Sequence, residues 1–209
     1  MRLFSYCIPF DDGAAPNPFW GVCTLAICKP RIRKVARVGD WIAGVGSKNV
    51  RGKSYEKKLV YAMKVTDKKT MEEYDFHCIM ELSNKIPDMT SDDLRRRAGD
   101  SIYDFARESG PKLRDSVHNE GESLNDLSGK YVLLSNHFYY FGDKAILLPE
   151  GLWPIVKQGQ WHKSNANEFY KLDFVDWLEK LPYNPNRLYG NPQMWGSNSS
   201  CDKVADNCN

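Results

Sequence analysis

The chain has 209 residues, of which 42% are hydrophobic and 27% charged, with a formal net charge of +2. That length accommodates one domain with a core large enough to fold without disulfide or metal, and the composition is that of a globular rather than a disordered chain. The small total hides a polarity: residues 29–69 hold thirteen Lys or Arg against Asp40, Glu56 and Asp67, a local net charge of +10, so the remainder sums to −8. Such a basic segment is the footprint expected for a phosphate-bearing partner, and equally of a solvated face.

Residues 3–8 read as a first strand. Pro9, Asp11 and Asp12 stop its apolar run too early for a signal peptide, and no stretch approaches the roughly 18 apolar residues of a membrane span; a cytoplasmic location is expected. Residues 11–18 form a turn-rich loop, and residues 21–28 a second strand ended by Lys29-Pro30. Residues 40–45 give a third strand, and residues 57–66 a fourth with alternating Leu59, Tyr61, Met63 and Val65. Thr70-Met71-Glu72-Glu73 is a capping box that opens a helix to about residue 82. Ser91-Asp92-Asp93 is a second N-cap candidate, for a short helix over 94–98, and residues 105–130 are a polar excursion. Strands are expected at 130–136 and 144–149. A helix is expected over 165–180, with Phe169, Leu172, Val175, Trp177 and Leu178 on its apolar face. Beyond residue 181 the chain reads as an extended Pro/Asn/Gly-rich tail. The pattern is α+β, a small mixed β-sheet or partly closed barrel with flanking helices, its centre formed by the strands beginning at 21, 40 and 57.

Chemistry-bearing motifs are few. The six cysteines (7, 23, 28, 78, 201 and 208) form no CxxC pair and no zinc spacing, so free thiols and no metal or cofactor are expected, with a Cys201–Cys208 pairing left open. No HExxH, GxSxG or deaminase signature is present. His137 is the one candidate acid/base, with Asp40 or Asp100 as an orienting carboxylate. In the run Gly39-Asp40-Trp41-Ile42-Ala43-Gly44-Val45-Gly46-Ser47-Lys48, two glycines lead to Ser47 and Lys48. It suits either an anion grip or a bulge and hairpin, but fits neither the P-loop nor the GxGxxG order. Asn17-Pro18-Phe19-Trp20 places aromatics on a stiff loop, where Trp20 is either a stacking platform or a core plug. The run from Ser135 to Gly142 adds Asn136, His137 and Tyr139, suited to reading and stacking a base. Arg31, Arg33, Lys34, Arg51 and Lys53 are the candidate phosphate contacts.

The series Asn17-Pro18-Phe19-Trp20-Gly21, Cys28-Lys29-Pro30-x-Ile32-Arg33, the run from Gly39 to Ser47, Gly99-Asp100-x-Ile102-Tyr103 and Tyr139-Tyr140-Phe141-Gly142 resembles the second nucleotide-modification-associated domain, over residues 1–180. The Gly39 block and the strand after it also resemble, more loosely, the PUA-like superfold with its EVE, YTH and ASCH branches. That second likeness implies an aromatic-lined pocket for a base or modified nucleotide. The GxKxxExR signature of ASCH domains is missing, so no hydrolase activity carries over.

The expected function is a binding module for a modified base or nucleotide in a DNA-modification or defence system. Trp20, Trp41, Ser47, Lys48 and residues 135–140 would form its pocket, with nucleic acid or a nucleotide as partner. Two alternatives stay open: an enzyme of the same pathway acting through His137, and a structural partner of a modification complex, which requires an exposed apolar patch.

Overall fold

The computed structural model describes residues 1–106, 110–118 and 123–196. Cys201 and Cys208 lie outside the described residues, as does the end of the expected tail.

A mixed main sheet holds β1 (Leu3–Ile8), β3 (Trp41–Gly46), β4 (Lys58–Lys64), β9 (Phe138–Tyr140), β10 (Ile146–Leu147), β11 (His162–Lys163) and β12 (Arg187–Leu188). Its order is β11-β1-β3-β4-β9-β12, with β10 paired to β4, and it is not closed into a barrel. β1 lies parallel to β3 and β9 to β12, and the other pairings are antiparallel. A second, antiparallel sheet has the order β2 (Cys23–Leu25), β8 (Tyr131–Ser135), β5 (Asp67–Thr70). The short pair β6 (Tyr103–Asp104) and β7 (Lys112–Leu113) stands apart. The fold is therefore α+β, as expected. The strand from residue 21 belongs to the second sheet, however, and the main sheet centres on β3 and β4.

Alternation along the strands supplies both faces of the main sheet. Phe4, Tyr6, Ile8, Ile42, Tyr61, Met63 and Tyr140 pack towards Leu25 and Leu133 of the second sheet. Leu3, Trp41, Ala43, Val45, Leu59 and Tyr139 pack on the other side against Leu148, Ile155 and helix α5 (Lys171–Glu179). A third cluster joins Val132 and Leu134 to Tyr74 and Cys78 of helix α2 (Met71–Met80).

The register of β3 against β4 shifts between Gly44 and Val45. A Cβ at Gly44 would come within 2.4 Å of both Ile8 Cδ1 and Tyr61 Cε1. The glycine-rich run is thus a bulge under tight packing, one of its two sequence readings.

Helix α2 carries the expected capping box. Thr70 Oγ1 accepts from the Glu73 amide at 3.1 Å, and the Glu73 carboxylate accepts from the Thr70 amide at 2.7 Å. Asp93 caps α3 (Leu94–Arg97) by accepting from the Arg95 amide at 2.9 Å. Pro30, read as a strand terminator, opens helix α1 (Pro30–Val35), the position proline favours because its missing N–H is not needed there. α4 (Ser123–Leu127) lies within the polar excursion.

α5 begins at Lys171, six residues later than expected. Asn167 holds the preceding turn by donating to Leu3 O and Ser5 Oγ. Phe174 and Leu178 form its buried face, whereas Phe169 and Leu172 are exposed, which corrects the face read from spacing. Residues 182–196, expected as an extended tail, pack on the body: β12 pairs with β9, the Met194 amide donates to Asp11 O at 2.9 Å, and Trp195 stacks on Phe19.

Candidate functional site

The structure disperses the residues expected to form one pocket. Trp41 and Tyr139 are 1% and 3% exposed and belong to the core beneath α5. Trp20 is half-buried on a different surface, with the Arg95 guanidinium 4.8 Å from its ring centroid. Lys48 and Asn136 are exposed, and Lys48 pairs with Glu56 at 3.5 Å. Ser47 accepts the Tyr55 amide through its backbone, and Arg51 and Lys53 occupy the exposed turn closed by the Val50–Lys53 bridge. Lys34 is exposed on α1.

His137 meets neither carboxylate assigned to it. Its ring packs edge-on against Trp41 and Tyr139, and its buried Nε2 has no hydrogen-bond partner among the described residues. Burial, with Lys64 adding to it, holds its pKa below the ordinary histidine value. Asp40 accepts from Arg2 and from the Arg37 amide instead.

Arg33 is wholly enclosed, so it is no phosphate contact. Its guanidinium donates to Cys28 O and Tyr131 O at 2.8 Å and to Asp126 O, tying α1 to β8 and α4. It also meets Met71 Sδ at 3.7 Å and lies 3.9 Å from the Asp126 carboxylate, so every partner of this long cation is internal and it acts as a structural cross-link.

A second group of motif residues builds a closed polar centre. Lys85 is fully buried and donates to Asn17 O, Asn17 Oδ1, Val22 O and Thr24 Oγ1 at 2.6–3.0 Å. Thr24 in turn donates to Asp100, which also accepts from Tyr74 Oη at 2.6 Å. Burial lowers the Lys85 pKa and raises that of Asp100, each opposed by the charge of the other. Gly99 is demanded by this packing, since a Cβ there would lie 2.5 Å from Pro87 N. Asn17 and Asp100 therefore bond across the fold, and Asn17 Oδ1 accepts in addition from the Phe19 amide of its own loop at 3.4 Å.

An open cleft lies elsewhere, at the start of α1. A cavity of about 430 Å³ is lined by Lys29, Arg31, Ser128, Gln160, Trp161 and His162, among others. A second of about 230 Å³ adjoins it through Lys29, with Tyr6, Ile8, Phe10, Asp12, Ile27 and His118 in its wall. Cys28 and Lys29 both take left-handed backbone angles, φ 55° and 43°, which turn the chain from β2 into α1. The Cys28 amide is held by Asp126 Oδ1 at 2.7 Å, and Asp126 Oδ2 lies 2.7 Å from His118 Nε2.

Lys29 is half-buried, with Nζ 4.7 Å from the Tyr6 ring centroid, and its ammonium makes no hydrogen bond or ion pair to any described residue. Burial holds its pKa below the ordinary lysine value. The Arg31 guanidinium lies 4.0 Å from the Trp161 ring centroid, and Trp161 remains 59% exposed. Burial lowers the His162 pKa, and the charges of Arg31 and Lys29 lower it further. The cleft is thus a pocket of positive potential with one exposed aromatic. Burial and Asp126 push the Cys28 thiol up to about 12, so it is no nucleophile at neutral pH.

Of the expected site residues, only Arg31 lines this cleft. Lys29 and Trp161 were missed: Lys29 lies in the signal that ended a strand, and Trp161 in a polar stretch without periodicity. An isolated tryptophan among Gly159, Gln160 and His162 was the one available clue.

The family model for nucleotide modification associated domain 2 matches residues 1–199, and the chain belongs to that family. No curated protein and no solved structure gives a match. No helix among the described residues is long and apolar enough to cross a membrane.

Proposed function

We propose that this member of the nucleotide modification associated domain 2 family is a binding module for nucleic acid, recognising a base, modified in its native setting of a DNA-modification or related defence system. Lys29 and Arg31 hold backbone phosphate, and Trp161 stacks on a base. The observation that carries this reading is Lys29, a half-buried ammonium with no acceptor among the described residues. Removing an ammonium from water without a counter-charge is costly, and a phosphate oxygen in the cleft offsets that cost through charge-assisted bonds. The exposed indole beside it supplies the sequence-tolerant π-face that single-stranded binders use.

Titration with short single-stranded DNA tests this. Two phosphate contacts predict that log K falls with log salt at a slope of about −1.4. Arg31→Ala should flatten that slope by about half while leaving the melting temperature unchanged. A salt-independent affinity, or one untouched by Arg31→Ala, contradicts the reading.

A specific observation favours a further protein contact. Phe76, Ile79 and Met80 are 66%, 46% and 65% exposed on one side of α2, an apolar patch suited to a partner in a larger assembly.

A further inference from the structure

The inner cavity differs in kind from the outer cleft. Its walls are largely apolar (Tyr6, Ile8, Phe10 and Ile27), and Asp12, Lys29 and His118 bring acidic and basic residues to the same lining. An apolar slot with a few fixed polar groups is the usual form of a pocket for a flat heterocycle.

Asp12 is held in place on both sides. Its Oδ1 accepts from the Ala14 amide at 3.0 Å, and its backbone carbonyl accepts from Trp195 Nε1 at 3.0 Å. The neighbouring Asp11 is clamped by Tyr140 Oη at 2.7 Å, by the Gln193 amide at 3.3 Å, and through its carbonyl by the Met194 amide at 2.9 Å. The loop forming one wall is therefore pinned by residues 193–195, as a preorganised recognition group requires.

Resting on the nucleic-acid reading above, we infer that this inner cavity takes one unstacked base past the phosphate held at Lys29, and that the base is guanine or a guanine derivative. A carboxylate has two acceptor oxygens. The matching edge is one with two adjacent N–H donors beside a carbonyl acceptor for the ammonium. Guanine presents that edge through N1–H, N2–H and O6; cytosine and adenine present a single amine, and thymine a single ring N–H. Paired charge-assisted bonds of this kind are the strong and orientation-specific ones. A base drawn out of its stack also explains why an aromatic stands at the cleft entrance, where a flanking base can rest.

The test is equilibrium binding of single-stranded pentamers of thymidine whose central position is guanine, cytosine, adenine, thymine or abasic. The guanine pentamer should bind at least tenfold tighter than every other. Asp12→Asn keeps an oxygen for the Ala14 amide but presents an N–H to guanine, so that preference should vanish while the melting temperature holds. Equal affinity across all five pentamers, with Trp161→Ala and Lys29→Met still weakening each, overturns the base pocket and leaves the phosphate-and-stacking reading standing. Tighter binding of another base overturns the guanine assignment. No binding of any pentamer overturns both.

Discussion

Two lysines divide the molecule into a closed half and an open one. Lys85 is fully buried and meets four oxygens, with Asp100 supplying charge through Thr24. Lys29 is half-buried and meets only the face of Tyr6. Burial depresses the pKa of both. The first cation has its partners built into the fold and holds the loop at Asn17 to the turn at Gly99. The second has none among the described residues; it meets the face of Tyr6 and lines the cleft, where an anion can reach it. The same residue type is structural in one place and receptive in the other, and the difference lies wholly in the acceptors around it.

The largest expected effect falls on the closed half. Lys85→Ala leaves Asp100 buried without its counter-charge and empties four acceptors, and should lower unfolding free energy by about 3–5 kcal/mol in urea titration. A loss below 1 kcal/mol would erase the contrast between the two lysines.

A pH series probes the pinned loop between the halves. Burial raises the Asp11 carboxyl from 3.8 to about 7. The folded state therefore binds that proton more tightly than the unfolded chain, so the stabilisation is complete at low pH and is withdrawn as pH climbs from about 4 through 7. At roughly 1.4 kcal/mol per unit, stability should fall by about 2 kcal/mol between pH 5 and 7. Asp11→Asn should flatten that decline, and an unchanged slope in the variant would assign it to another group.

In the open half, Trp161→Ala should weaken single-stranded DNA binding by roughly 1–2 kcal/mol, a stacked base's contribution. Its melting temperature should barely move, since the residue is 59% exposed. A large drop in melting temperature would place Trp161 with the structural residues instead.

These contrasts also mark what the sequence could reveal. Local signals were readable: strand β4, the Thr70–Glu73 capping box and a cap within Ser91-Asp92-Asp93 appear where spacing put them, but the register shift beside Gly44 and Val45 breaks the β4 alternation and sends Leu59 to the face opposite Tyr61 and Met63. Pro30 was ambiguous because proline both ends strands and opens helices, and the run 138–140 was hidden because its strand is only three residues long. The site was harder to read because its walls come from distant segments, at 6–15, 27–32, 118, 125–128 and 160–162. The conspicuous motifs drew attention to the closed half. Asn17, Asp100, Trp41 and Tyr139 are distinctive residues because they are buried and packed, and their types alone do not tell a bonded interior from a binding pocket.

The central claim is that Lys29 is held ready for an anion, and Lys29→Met tests it most directly, because methionine keeps the apolar stem and removes the charge. The account predicts single-stranded DNA affinity reduced about tenfold or more, as loss of a charged hydrogen bond implies, with stability equal to or above that of the unaltered chain. A variant that is destabilised yet binds with undiminished affinity would contradict it.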